Sequence, residues 1–189
     1  NSTQVYDVLL FDGFSNLCLA NCLEPLRAAN MISGKALYAW RILSADQGVV
    51  TSSSGLKVTP DLSLLQASGD VLFIMPSYEF RSHASWNTQA SLRSADARYG
   101  TLAGLDTGAW LMAEADLLTG VDATIHWEEL SAFAERFPDV QAKRARFLIG
   151  NRRMTCSGAA ATFDLMHHLI GETHGQALAL EVAQLLMAK

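Results

Sequence analysis

The chain has few cysteines and no long hydrophobic run. Three cysteines occur among its 189 residues, Cys18, Cys22 and Cys156, and this small, odd number is not the pattern of a disulfide framework. No run of about 18 apolar residues, which a membrane span would need, is present. The N-terminus also has no basic segment followed by an apolar one, the pattern of a secretory signal. We therefore expect a cytoplasmic protein with reduced cysteines and no membrane partner.

The chain also lacks an excess of basic charge. Its 14 lysines and arginines are outnumbered by 19 aspartates and glutamates, and the net charge is -5. A nucleic-acid-binding domain usually presents a basic face, and the densest basic stretch, Lys143–Arg153, is interpreted as a solvated surface. There is no Gly-rich phosphate loop and no zinc-like ligand spacing. The sequence predicts no direct DNA binding by these residues, no cofactor and no metal site.

Short apolar runs alternate with helix-compatible segments along most of the chain. Strands are predicted at Val5–Phe11, Tyr38–Ala45, Val71–Met75, Gly100–Leu105 and Arg144–Ile149. Helices are predicted at Asn16–Met31, Ser85–Ala97, Thr107–Leu118, Trp127–Phe137, Gly158–Ile170 and Gly175–Met187. This alternation is typical of parallel strands covered by helices on both faces. We predict one α/β domain over residues 1–189, a flavodoxin-like doubly wound sandwich with a mostly parallel central sheet, and a kink or restart of the first helix at Pro25.

A sharp strand-to-helix corner is predicted at Asp106, between "GTLAGL" and "TGAWLMAEADLL". In open α/β sheets, ligands bind at the carboxyl ends of strands, and such a corner exposes one side chain beside free backbone N–H groups. Asp106 has three interpretations: it caps the following helix, it anchors a ligand, or it takes part in catalysis. The first two can coexist.

Long segments around this corner resemble a known family. These segments are "VLLFDGFSNLCLANCLEPLRAAN", "YAWRILSADQGVVTSSSGLKVTPD", "LDTGAWLMAEADLLTGVDATIHWEEL", "FPDV" and "TCSGAAATFDLMHHLIGETHGQALA". In this order they resemble the N-terminal DJ-1/PfpI-like (class I glutamine amidotransferase-like) domain of AraC-family transcription regulators, in particular regulators of carnitine and glycine-betaine catabolism. The resemblance implies a sensory domain that binds a small-molecule effector and forms a homodimer. It also implies a C-terminal helix-turn-helix domain in the full-length protein, absent from these residues, through which DNA is bound.

The same resemblance implies a vestigial active site. Enzymes of the wider superfamily have a Cys at the corner, a His nearby and a Glu from the first helix region, and these positions carry over to Asp106, His126 and Glu24. Many relatives also have Gly-Gly after the third strand, where this chain has Ser77 and Tyr78. Because the thiol is absent and the oxyanion-binding backbone is altered, we expect no catalysis. The alternative is a hydrolase or hydratase-like enzyme that uses Asp106 with His126 or Glu24.

We expect the corner and its neighbours to form one ligand pocket. The predicted ligand-binding residues are Glu24, Ser77, Tyr78, Asp106, Thr107, His126 and Trp127. Two carboxylates and several aromatic rings suit a cationic or zwitterionic nitrogen compound, held by Coulomb attraction and cation–π contact. A dimeric interaction module without a ligand is a third interpretation. The last helix reaches Ala188-Lys189 without a capping signal, so we also expect the natural protein to continue beyond residue 189.

Overall fold

The structure is a computed structural model that describes residues 2–187. Its strands are β1 (Gln4–Leu10), β2 (Tyr38–Ser44), β3 (Val50–Thr51), β4 (Lys57–Val58), β5 (Leu62–Ser63), β6 (Gly69–Met75), β7 (Tyr99–Gly104), β8 (Asp122–Ala123), β9 (Gln141–Ala142), β10 (Phe147–Ile149) and β11 (Arg153–Cys156). Its α-helices are α1 (Asn16–Ser33), α2 (Trp86–Asp96), α3 (Gly108–Glu114), α4 (Leu130–Arg136), α5 (Ala159–His174) and α6 (Gln176–Leu186). Short 3-10 helices cover Leu64–Gln66, Phe80–His83 and Trp127–Glu129. The predicted uncapped end at Ala188-Lys189 lies outside the described residues.

Seven strands form the central sheet, in the order β10-β11-β7-β6-β1-β2-β5. All neighbouring pairs are parallel except β10 and β11, which are antiparallel. The inner order β2-β1-β6-β7-β11 is the flavodoxin-like doubly wound order. The predicted α/β class and mostly parallel sheet are therefore confirmed.

The sheet separates two hydrophobic cores. Along β1, Val8 and Leu10 belong to the core that includes α1, α5 and α6, whereas Leu9 belongs to the core that includes α2, α3 and α4. Successive side chains of a strand point to opposite faces, so an apolar run such as that of β1 is buried on both sides. Helices on both faces follow from this pattern.

Several predicted element boundaries are wrong. Helix α1 does not restart at Pro25: it runs from its N-cap Ser15, whose hydroxyl accepts from Cys18 N, to Gly34, whose φ of 67° ends it. Pro25 is buried within α1, and packing against α5 and α6 favours the continuous helix. Helix α3 is shorter than predicted and is followed by Asp116 at a φ of 60°. Within residues 2–187, no helix is both long enough and apolar enough to cross a bilayer.

Candidate functional site

The strand-to-helix corner at Asp106 is as sharp as the sequence suggests. Asp106 has a φ of 61°, in the left-handed region that only a few per cent of non-glycine residues occupy. Gly108 N donates to Leu105 O at 2.9 Å, which closes the turn before α3. A Cβ atom on Gly108 would lie 2.2 Å from Ile74 O in β6, so only glycine lets the corner approach the sheet this closely. Strain of this kind is often found at functional sites.

The Asp106 carboxyl is buried at this corner, and the residue is 8% exposed. Burial raises its pKa above the ordinary value of 3.8, while His126 and the Ser77 hydroxyl lower it by smaller amounts. His126 is held beside the corner, because its backbone N–H donates to Asp106 O at 2.9 Å. The N-cap residue of α3 is Thr107, with no side-chain capping bond. Asp106 is therefore not the N-cap that the capping interpretation predicts.

Asp106 borders a cleft of about 740 Å³, here called the Asp106 cleft. Five of the seven predicted ligand-binding residues line it: Ser77, Tyr78, Asp106, Thr107 and His126. Six further lining residues were not predicted: Glu79, Phe80, Arg81, Ser82, Glu128 and Glu129. Eight of the eleven follow the carboxyl ends of β6 or β7, the edge of the sheet where doubly wound folds bind ligands, and the other three, His126, Glu128 and Glu129, follow β8 of a separate two-stranded sheet.

The segment after β6 forms one wall of the cleft in a strained conformation. Ser77 and Glu79 have φ values of 55° and 56°. Thr107 Oγ1 donates to Ser77 O at 2.6 Å, which ties this wall to the Asp106 corner. The Ser77 side chain is buried, and its Oγ makes no hydrogen bond in the described residues, although its hydroxyl is near enough to lower the pKa of Asp106. A buried hydroxyl without a partner costs stability, and a ligand in the cleft could relieve that cost.

His126 and Trp127 form the opposite wall and the rim. His126 Nδ1 accepts a hydrogen bond from Glu128 N at 3.2 Å, so the neutral ring carries its proton on Nε2. Trp127 is 69% exposed and stacks on His126 with ring centroids 5.6 Å apart. Trp127 does not line the cleft itself.

The predicted grouping of Glu24 with Asp106 is wrong. Glu24 is exposed and pairs with Arg27, with Arg27 Nε 2.8 Å from Glu24 Oε2. It lies on a separate groove together with Arg146 and Asp164. The residues that α1 buries include Cys18, Cys22 and Leu26, spaced four apart on one helix face, and Glu24 does not share that spacing.

Thiols, not a second carboxyl, lie beneath Asp106. Cys18 and Cys156 are both buried, and their Sγ atoms lie 3.5 Å and 3.8 Å from Thr162 Oγ1. Burial raises the pKa of each thiol, and the negative charge of Asp106 raises it further. Cys18 and Cys22 are both buried in the core.

Negative charge dominates the Asp106 cleft. Asp106, Glu79, Glu128 and Glu129 contribute carboxylates, and Arg81 is the one lysine or arginine in the lining. Arg81 Nη2 is paired with Glu129 Oε2 at 2.8 Å, and its guanidinium also lies 4.6 Å from the Trp110 ring centroid. Across residues 2–187, no group of three or more His, Cys, Asp or Glu side chains is arranged to hold a metal ion. The lining of the cleft therefore carries a net negative charge.

Sequence comparison relates the chain to transcription regulators. The HTH-type transcriptional regulator CdhR of Pseudomonas aeruginosa is 39% identical over 183 residues, which are 96% of this chain and 54% of that protein. The HTH-type transcriptional regulator GbdR of the same species is 38% identical over 185 residues, 97% of this chain and 50% of that protein. The chain spans about half the length of these curated relatives. No protein-family model matches it.

Structure comparison gives the same fold. An AraC family transcriptional regulator from Pseudomonas putida has a TM-score of 0.83 at 24% identity, over 97% of this chain and 99% of that one. A ThiJ/PfpI family protein from Pseudomonas syringae has a TM-score of 0.83 at 21% identity, over 100% of this chain and 76% of that one. The fold is that of the DJ-1/PfpI proteins. Over 96% of its length the chain is therefore related in sequence to one part of HTH-type transcription regulators, and it shares its fold with an AraC family regulator.

Proposed function

We propose that this domain is the effector sensor of a transcription regulator, and that the Asp106 cleft binds a small cationic or zwitterionic nitrogen compound. The observation that carries the proposal is the buried Asp106 carboxyl at the base of a cleft whose other charges are mostly carboxylates. A cation would restore the electrostatic stabilisation that Asp106 loses on burial. Tyr78 at the cleft and Trp127 at its rim offer aromatic faces for a quaternary ammonium group.

The chemistry of the corner favours binding over turnover. A carboxylate is a weak nucleophile toward most carbonyl groups unless it is activated. The one observation that favours an enzyme is that His126 lies near enough to Asp106 to lower its pKa, an arrangement that could move a proton. The Glu24–Asp106 proton-sharing pair of the enzyme alternative lacks support, because Glu24 is paired with Arg27. Turnover of any candidate ligand, lost in Asp106→Ala, would favour the enzyme.

The regulator role extends beyond these residues. In the full-length protein, we propose that a C-terminal helix-turn-helix domain binds DNA and that two sensor domains pair in a homodimer, which would match paired DNA half-sites. The ligand controls DNA binding only if it contacts two arrangements of the protein with different affinity. Light scattering of the isolated domain tests the dimer.

A thermal-shift screen tests the proposed ligand class. The domain is heated with betaines, carnitine, amino acids and polyamines at neutral pH. A ligand at 100 times its dissociation constant is expected to raise the free energy of unfolding by about 2.7 kcal/mol, which shifts the melting temperature by several degrees. We expect at least one cationic or zwitterionic compound to do so.

The Asp106→Asn variant tests whether the ligand-induced shift in this screen depends on the Asp106 charge. Asparagine tolerates a positive φ and removes only the charge, and because burial raises the pKa of Asp106 the variant should be no less stable than the wild type. The matched control is Asp116→Asn, an exposed aspartate at a φ of 60° outside the cleft. We expect the ligand-induced shift to vanish in Asp106→Asn and to persist in Asp116→Asn. An equal shift in all three proteins would contradict the proposal.

A further inference from the structure

A second cavity adjoins the Asp106 cleft. It has a volume of about 660 Å³ and is here called the Asp12 cavity; Asp12, Thr51 and Ser52 contribute to its lining. Tyr78 and Glu79 line both cavities, so the two cavities meet at these residues. Both side chains are exposed. A ligand longer than one cavity can therefore pass over this boundary and occupy both.

The Asp12 cavity is held in shape by hydrogen bonds among two loops and strand β3. Gly13 N donates to Thr51 O at 2.8 Å, and Tyr78 N donates to Gly13 O at 3.3 Å. Asp12 Oδ1 accepts from Thr51 N at 2.9 Å. These contacts join the loop after β1, strand β3 and the strained segment after β6. The segments around the second cavity are thus fixed to one another by hydrogen bonds, as are the walls of the first.

Both cavities are lined by more carboxylates than lysine or arginine side chains. The Asp12 cavity adds Asp12 to the carboxylates of the Asp106 cleft and adds no lysine or arginine to its lining. Arg81, the lining arginine of the cleft, already pairs with Glu129. In the Asp12 cavity a ligand carboxylate would therefore meet like charge, whereas a second cationic group would find Asp12 or Glu79. Contacts between like charges therefore disfavour a ligand that places a carboxylate there.

Resting on the proposed function, we infer that the two cavities form one binding site for an elongated ligand with a cationic group at each end. One end pairs with Asp106 and the other with Asp12, with Glu79 between them. The acidic lining is not the only support, because the buried Ser77 Oγ has no hydrogen-bond partner in the described residues and lies in the wall of the cleft beside Asp106. It is placed to accept from an ammonium group bound there.

Calorimetric titration of paired compounds tests this inference. The probes are α,ω-diaminoalkanes of graded length, each compared with the n-alkylamine of the same carbon number at pH 7 and low salt. An extra ion pair at a partly exposed site is worth up to about 1 kcal/mol, so the best diamine should bind about fivefold tighter than its monoamine. The preference should peak at one chain length, because one fixed distance separates the two carboxylates.

The Asp12→Asn variant separates this inference from the proposed function. Asparagine keeps an Oδ1 acceptor for Thr51 N, so the loops stay joined while the charge is lost. We expect the ratio of monoamine to diamine dissociation constants to fall to about one in Asp12→Asn and to stay at the wild-type value in Asp116→Asn. A ratio near one in the wild type, with binding that still depends on Asp106, would overturn the inference alone. The absence of any Asp106-dependent binding would overturn the proposed function as well.

Discussion

Gly108→Ala is expected to lower the free energy of unfolding by about 3 kcal/mol or more. The added Cβ would lie 2.2 Å from Ile74 O, a backbone atom of a central strand that cannot rotate away. Either the corner or β6 must move, and both belong to the sheet edge that carries the Asp106 cleft. Urea unfolding followed by circular dichroism measures the change.

Gly150→Ala is the matched control. Gly150 is an exposed glycine after β10, and the nearest atom to its added Cβ would be Arg153 O at 3.7 Å, an ordinary contact. We expect its stability to stay within about 0.5 kcal/mol of the wild type. If Gly108→Ala were as stable as Gly150→Ala, the corner would not pack against β6 as closely as described.

The second large effect concerns a buried carboxylate that joins three strands. Asp7 of β1 is fully buried, and it accepts from Arg41 Nε of β2 at 3.0 Å and from the Tyr99 hydroxyl of β7 at 2.5 Å. Asp7→Ala leaves the guanidinium and the phenol without their partner. Breaking a buried ion pair from one side costs about 3–5 kcal/mol, and because Arg41 is partly exposed we expect the lower end of this range. Urea unfolding at pH 7 measures it.

Asp122→Ala provides the comparison for Asp7→Ala. Asp122 also pairs with a cation at 2.7 Å, Lys143 Nζ, but both side chains are about half exposed. Exposed pairs contribute about 0–1 kcal/mol, so this variant should remain near wild-type stability. Equal losses in the two variants would show that the buried position of Asp7 adds nothing to the strength of its contacts.

Much of the fold was predictable because the central strands are continuous apolar runs. β1, β6 and β7 were predicted to within a few residues, since burial on both faces leaves a strong pattern. β11 was missed: Arg153–Cys156 contains only four residues and no apolar run, and its strand conformation depends on pairing with β7 and β10. The restart predicted at Pro25 failed for a related reason, because local propensity was overridden by packing.

Site residues could be predicted where the order of the strands determines their position. They could not be predicted where the position depends on which face of a helix is buried. Ser77, Tyr78, Asp106 and Thr107 follow β6 and β7, and the carboxyl ends of parallel strands meet at one edge. His126 follows β8 of a separate two-stranded sheet and was assigned by motif likeness. Glu24 was assigned by motif likeness alone, without asking which face of α1 is buried. The spacing of Cys18 and Cys22 could have identified that face. The glutamates in "YEF" and "HWEE", beside predicted residues, could likewise have indicated the further carboxylates of the cleft.

The most direct test of the central claim, that Asp106 anchors a cation, is an NMR titration with choline between pH 4 and pH 7. Choline has no titrating proton, so any change in affinity with pH reports on the protein. Burial raises the pKa of Asp106 above 3.8, and a cation binds the ionised carboxylate. Affinity should therefore rise with pH through that raised pKa, and Asp106→Asn should abolish most of the binding and this rise. Choline binding that is absent, or equally strong in Asp106→Asn at every pH, would contradict the account.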